Sequence, residues 1–510
     1  MSGIDEPTGE LFDDDLSFPE QDEPDVRERR PVTARGVALL GARTVAGLVG
    51  LGIAAATIAA ATFLPLPSVD ATPASRLVTP IPTAQQLVCP GAVLRLSDDA
   101  GQGATVSSAI GEPSLASGVT AGSVESVPMS VSDAGTGDTA AAPTVISTPP
   151  DPTDPSGRIL LSGAESEQVA EGDFVGLAAA GCTVANADSW LTGGSTAVGR
   201  TTLLSLANPT EVAATVTLEL FGENGAITAP GTSGIIVPAN GQRVLSLAGF
   251  APDVTSPVVH VTSTGGLVAA SLQQVIVRGL TPGGVDLVGS ATALSERNVI
   301  PGVLVTDVAA TKSLLSGGVD YADTSTAVRI FAPGTGTVAV TVSVIPENAT
   351  DTGTSFALDV TAGEAIDVPV PELGSGSYTV RVDSDVPVTA AVRVTSAAGG
   401  ISDFAWFTAS DQIEQLAQVT VAPGPAPQLH LANPTDADAI VTLTALGGAA
   451  TTVNVAAGAS AVVPVVAGQS YGLSGFDELN AAVSFSGGGM LASYTVHPPG
   501  AGSTPVTVYP

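Results

Sequence analysis

The chain has 510 residues, with 49 acidic and 16 basic side chains and a net charge of −33. The part beyond residue 43 holds 38 of the acids and 11 of the bases, which leaves it near −27. Phosphate backbones need basic patches, so nucleic acid is excluded as a partner, and Lys312, the sole lysine, follows Thr311 rather than a glycine, so no Walker A loop is present.

Residues 1–36 read as a disordered, acidic cytoplasmic tail. Asp13, Asp14 and Asp15 form one run, Asp22, Glu23 and Asp25 nearly form another, and Pro7, Pro19, Pro24 and Pro31 break any local order. Its small apolar patch, Leu11, Phe12, Leu16 and Phe18, is what a cytoplasmic docking partner would hold. Residues 37–65 then predict a transmembrane helix acting as a signal anchor. From Thr44 to Leu64 there is no charge, and at about 1.5 Å rise per residue this stretch matches one bilayer core. Arg27, Arg29, Arg30, Arg35 and Arg43 precede it and orient the N-terminus to the cytoplasm. A cleaved signal peptide is the alternative, but the long leading segment and the following Pro65 and Pro67 argue for an uncleaved anchor. Ala46 and Gly50, then Gly52, Ala56 and Ala60, stand at small-x-x-x-small spacing, which makes a homo-oligomer through the span a candidate.

Residues 66–86 form a linker. Residues 87–200 predict an N-terminal β region closed by a disulfide between Cys89 and Cys182, the two cysteines of the chain, with a flexible Ser/Gly/Thr/Pro-rich insertion at about 98–157. From residue 200 the chain repeats itself: LLSLANPTEVAATVTLELFGENG near 203–225 returns as LHLANPTDADAIVTLTALGG near 429–448, and more loosely as RIFAPGTGTVAVTVSVIPENA near 329–349. Alternating, β-branched stretches separated by Gly, Asn and Pro read as short strands. The fold class is therefore all-β: tandem immunoglobulin- or fibronectin-like β-sandwich units over 201–277, 278–394 and 395–510, after one transmembrane helix. The spacers after the first two units, which carry Gly284 with Asp286 and Gly400 with Asp403, are expected to add a strand pair to each unit. Asn208-Pro209 and Asn433-Pro434 are expected to end strands in turns.

Catalytic signals are sparse. His260, His430 and His497 are the only histidines, and they are expected on strand surfaces without a G-x-S-x-G elbow or an H-E-x-x-H pair beside them. Asp383 and Asp385 form a D-x-D, and Asp151, Asp154, Asp436 and Asp438 lie near turns, where calcium is the alternative to ordinary turn chemistry; EF-hand spacing is absent, so no metal and no cofactor is expected. Asp188 and Trp190, together with Trp406, are the candidate interaction surface. A deep acidic pocket around Asp188 and Trp190 would instead point to a hydrolase.

The segment from Cys182 to Gly225 resembles an uncharacterised actinobacterial family of membrane-anchored or secreted envelope proteins. The resemblance rests on Cys182, on Asp188-Ser189-Trp190, on Gly193 and Gly194, on Asn208-Pro209 and on Gly222 and Gly225. It implies a location in the cell envelope and tilts the function toward polysaccharide assembly, with an envelope protein or polysaccharide as partner. It supplies no catalytic residue. The expected function is a non-enzymatic single-pass scaffold or interaction module outside the membrane; the alternative is an extracytoplasmic carboxylate-dependent hydrolase or transferase acting on envelope glycans.

Overall fold

A computed structural model describes residues 45–57, 76–78, 84–96, 107–131, 142–150, 159–291, 293–347, 353–500 and 506–508. The chain divides into two compact units, one of Met1–Arg76 with Val508–Pro510 and one of Leu77–Thr507. In the first, residues 45–57 form a helix with exposed Leu48, Val49, Leu51 and Ile53. The rest of the expected 37–65 span, residues 37–44 and 58–65, lies outside the described residues, as does the acidic tail. No helix among the described residues is long and apolar enough to cross a membrane.

The second unit is mostly β, with curled, barrel-like sheets. Strand Ala214–Gly222 shows how sequence becomes packing: Ala214, Val216, Leu218 and Leu220 alternate inward, and their polar neighbours stay outside. The same alternation recurs in Thr337–Pro346 and Ala439–Ala445. In the later repeats a single long strand serves two sides of the fold. The first part of Gly376–Ala398 pairs with Ser295–Val305 and Thr337–Pro346, and its second part with Ala327–Phe331 and Ile401–Thr408. Ser470–Gly487 repeats this arrangement, whereas the first repeat splits the strand into Val258–Gly265 and Ala269–Arg278. Each repeat has its own apolar core.

The two LANPT motifs are built alike. Asn208 Nδ2 donates to the carbonyls of Val212 and Val237, while its Oδ1 accepts from the N–H and hydroxyl of Thr210. Asn433 makes the corresponding bonds to Ala437, Val455 and Thr435. Asn is thus an internal clip that closes the turn and ties it to a neighbouring strand.

The N-terminal region departs from expectation. The Cys89–Cys182 disulfide is present and buried beside Ile146. The segment expected as a flexible insertion, however, contains strands Ser107–Ala109, Ser114–Val119, Glu125–Pro128, Ser130–Val131 and Thr144–Thr148. These strands are short and built from small residues, and Glu125–Pro128 is exposed throughout, so no apolar period announces them. They are held by strands outside the segment: Ser114–Val119 pairs with the longer Leu161–Glu171, and Thr144–Thr148 with Gln85–Cys89.

One strand from each part meets at a hub. Phe174–Gly181 packs on Thr281–Gly289, that strand on Ile401–Thr408, that one on Met490–Thr495, and Met490–Thr495 returns to Phe174–Gly181. Each is the second strand of a hairpin, after Leu161–Glu171, Ala269–Arg278, the end of Gly376–Ala398 and the end of Ser470–Gly487 respectively; by this pairing the first repeat runs on through Gly289 and the second through Thr408, beyond the sequence-based bounds of 277 and 394. The disulfide-closed region therefore takes a fourth position beside the three repeats and closes a ring.

Candidate functional site

Three polar constellations follow from this architecture. The first is exposed. Strands Asp188–Thr192, Val258–Gly265 and Ala214–Gly222 bring Trp190, His260 and Glu219 abreast. His260 Nδ1 lies 2.8 Å from Glu219 Oε2 and Nε2 lies 3.1 Å from Asp188 Oδ2. Both partners are acceptors, so the ring donates to both only as the imidazolium. The imidazole also stacks on Trp190, with ring centroids 4.0 Å apart and planes within 7°.

Asp188 thus stands on a surface, its side chain 56% exposed, as does Glu219. Trp190 is only 8% exposed, since His260 covers one face and Phe221 and Phe331 pack nearby. Trp406 is 2% exposed and does not belong to this surface. It lies under the guanidinium groups of Arg329 and Arg393, and its indole N–H donates to Gln274. The sequence-named trio is therefore split: Asp188 and Trp190 belong together, and Trp406 is a packing residue between repeats. The cleft of about 250 Å³ beside Cys182 is lined by Gln86, Thr420 and His497 among others, and not by Asp188 or Trp190.

The second constellation is fully buried. His430 Nδ1 lies 2.6 Å from Glu347 Oε2, and Nε2 lies 2.7 Å from Ser484 Oγ. Glu347 Oε1 also accepts the Gly302 N–H and the Thr379 hydroxyl. A Cβ at Gly302 would stand 2.6 Å from the His430 ring, so the imidazole rests on bare backbone. His430, expected on a strand surface, is 0% exposed. In Gln428–Ala432 the alternate Leu429 and Leu431 face the core of their own repeat, and the opposite side, which would face solvent in an isolated sheet, faces the preceding repeat here.

The third is the hub. Asp403 Oδ2 accepts the N–H groups of Leu177 and Leu491, and Oδ1 accepts that of Val285. One carboxylate thereby ties strands from the N-terminal region, the first repeat and the third repeat to the second. Side chains at Gly176 and Gly284 would collide with it, because a Cβ would come within 2.5 and 2.6 Å of Asp403 Oδ1. Burial pushes Asp403 up to about 7, against the opposing pull of its N–H donors. A comparable burial effect raises Glu165, which accepts the Gly91 N–H, to about 8.

Charged joints complete the contacts between the first two repeats. Arg329 is fully buried; it donates to both oxygens of Asp367 and to the carbonyls of Gly194, Thr255 and Pro257. Asp323 receives Arg200 and Arg278. Burial pushes Asp323 up, but Arg278 above all, with Arg393 and Arg200, outweighs it and holds the carboxyl below its ordinary range. Sequence reading missed Arg329. Its signal was an arginine inside an otherwise apolar strand, AVRIF, where a charge needs a buried partner.

These features define a mostly β protein, stapled by a disulfide and closed on a buried polar hub. The model of a family of unknown function, DUF5719, matches residues 131–466, so the chain belongs to that family. Comparison with curated proteins gives no match.

Proposed function

We propose that this chain is a non-enzymatic, single-pass cell-envelope protein with a cytoplasmic N-terminus, whose immunoglobulin- or fibronectin-like repeats act as a scaffold outside the membrane. The observation that carries this reading is the allocation of polar groups. Asp403, His430 and Arg329 are all spent on fixing one repeat against another, while the exposed Asp188–His260–Glu219 face is left for a partner. An envelope polysaccharide or protein is the partner class, and a face presenting two carboxylates beside an imidazole suits hydroxyl-rich or cationic groups.

The alternative, an extracytoplasmic hydrolase or transferase on envelope glycans, draws on the Ser484–His430–Glu347 geometry, which has the order of a nucleophile, base and orienting acid. Against it, Ser484 is 1% exposed and the side chains of His430 and Glu347 are 0% exposed, which leaves no room for a substrate. The deciding experiment is capture from envelopes with the tagged full chain and with the Asp188→Ala/Glu219→Ala variant. A partner recovered by the first and lost by the second supports the scaffold. Turnover of an envelope glycan that disappears with Ser484→Ala would overturn it.

A further inference from the structure

The hub holds two buried carboxylates, Asp286 and Asp403. Asp403 Oδ1 accepts the Val285 N–H at 3.1 Å, and Asp286 Oδ2 accepts the Trp406 N–H at 2.7 Å, so each acid binds the backbone of the strand that carries the other. Both residues are 0% exposed, and among the described residues Asp286 Oδ1 has no hydrogen-bond partner.

Charged and titratable groups on the surrounding elements are turned elsewhere. Arg329 and Arg393 lie over Trp406 and face Asp367, Arg278 faces Asp323, and Arg297 faces Asp383. Glu165 and Glu167 accept the N–H groups of Gly91 and Val93, and the Tyr494 hydroxyl donates to the Thr420 carbonyl. Among the described residues neither hub acid forms an ion pair. A buried carboxyl without a cation is best tolerated uncharged, and two neighbours cannot both ionise cheaply.

We propose that Asp286 and Asp403 form a proton-operated latch for the ring, which holds the four hub strands together while the pair carries protons and loosens them when both acids ionise. Burial drives both carboxyls upward, Asp403 to about 7 and Asp286 well above the ordinary range, with the Asp403 charge adding to the latter. The direction follows from linkage. An acid whose folded pKa is raised contributes stability at low pH, and that contribution is lost as pH rises through the folded value. Opening the hub hydrates both acids, so opening becomes easier at higher pH, by up to about tenfold per pH unit for each ionising group.

Hydrogen exchange on the full chain tests this, with rates corrected for the intrinsic pH dependence of exchange. Between pH 6 and 8 the opening of segments 174–181, 281–289 and 490–495 should rise about tenfold or more. The outer strands 354–361 and 450–455 should stay level. Asp286→Asn keeps a carbonyl for the Trp406 N–H and removes one titrating group, so it should flatten the rise. Glu165→Gln, outside the pair, should leave a rise in place. An equal pH response in hub and outer strands overturns the latch, as does an unchanged rise in Asp286→Asn or its loss in Glu165→Gln alone. Should Asp286→Asn fail to fold, the hub-against-outer comparison in the unmodified chain still decides.

Discussion

The backbone N–H of Leu177 donates to Asp403 Oδ2 over 2.9 Å, joining residues 226 apart in the chain. Two further N–H groups, from Val285 and Leu491, converge on the same carboxylate. Asp403→Ala would leave three buried donors without an acceptor, at about 1–3 kcal/mol each, offset in part by the burial cost of the acid. We expect a net loss of about 2–4 kcal/mol in urea unfolding at pH 6. A change below about 0.5 kcal/mol would mean that the hub does not hold the strands.

Arg329 gives a second test of how the repeats are joined. Its guanidinium satisfies Asp367 and three carbonyls across the joint, and all of it is buried. Removing one member of a buried pair strands the other, so Arg329→Ala should cost about 3–5 kcal/mol. Arg329→Ala combined with Asp367→Ala should cost less than the sum of the single changes, and a thermal-melting double-mutant cycle reads that coupling. Strict additivity would show that the pair does not cooperate.

The β character and the repeat were legible because Val216, Leu218 and Leu220 alternate with Thr217 and Glu219, and because LANPT recurs with the same internal clip. The disulfide was legible because Cys89 and Cys182 have no other cysteine to pair with. What remained hidden is long-range. A lone Asp403 in ISDFAWFT carries no local mark of three backbone partners drawn from three other parts of the chain. His430 and Trp406 read as surface groups because a strand's second face is open in isolation and closed only when another repeat packs on it. The strands within 98–157 lacked an apolar period, so composition alone made them resemble loop.

The disulfide should matter beyond its own neighbourhood. It ties Gln85–Cys89 to the end of Phe174–Gly181, which is a hub strand. Closing a loop of this size is worth on the order of 4–5 kcal/mol through the unfolded chain. Cys89→Ser/Cys182→Ser should therefore lower the melting temperature, and limited proteolysis should cut first within the N-terminal region. Identical melting with and without reductant would show that the ring closes without the staple.

The buried Ser484–His430–Glu347 line makes a clear contrast between structural and catalytic roles. His430→Ala leaves Glu347 and the Ser484 hydroxyl without their partner and opens a cavity, so a cost of about 2–4 kcal/mol is expected. Ser484→Ala should cost only about 1 kcal/mol, since one hydroxyl bond is lost. Chemical denaturation of both variants ranks them. For a structural joint the ranking follows these stabilities; for a catalytic group Ser484→Ala would leave folding intact and abolish turnover.

Glu165 supplies the pH test outside the hub pair. It lies buried in strand Leu161–Glu171, accepts the Gly91 N–H at 2.6 Å, and is raised by burial to about 8 from 4.5. In the unfolded chain it ionises near 4.5, so between that value and about 8 the folded state binds more protons than the unfolded state. Stability should then fall as pH rises through this window, by up to about 1.4 kcal/mol per unit where only the folded form is protonated. Glu165→Gln keeps an acceptor for Gly91 and cannot titrate. Urea midpoints measured from pH 5 to 9 should decline less steeply in Glu165→Gln than in the parent, with the gap widest above pH 8. Parallel curves would mean that Glu165 is charged in the folded protein, and the cation or water that supports it would have to sit beside Gly91.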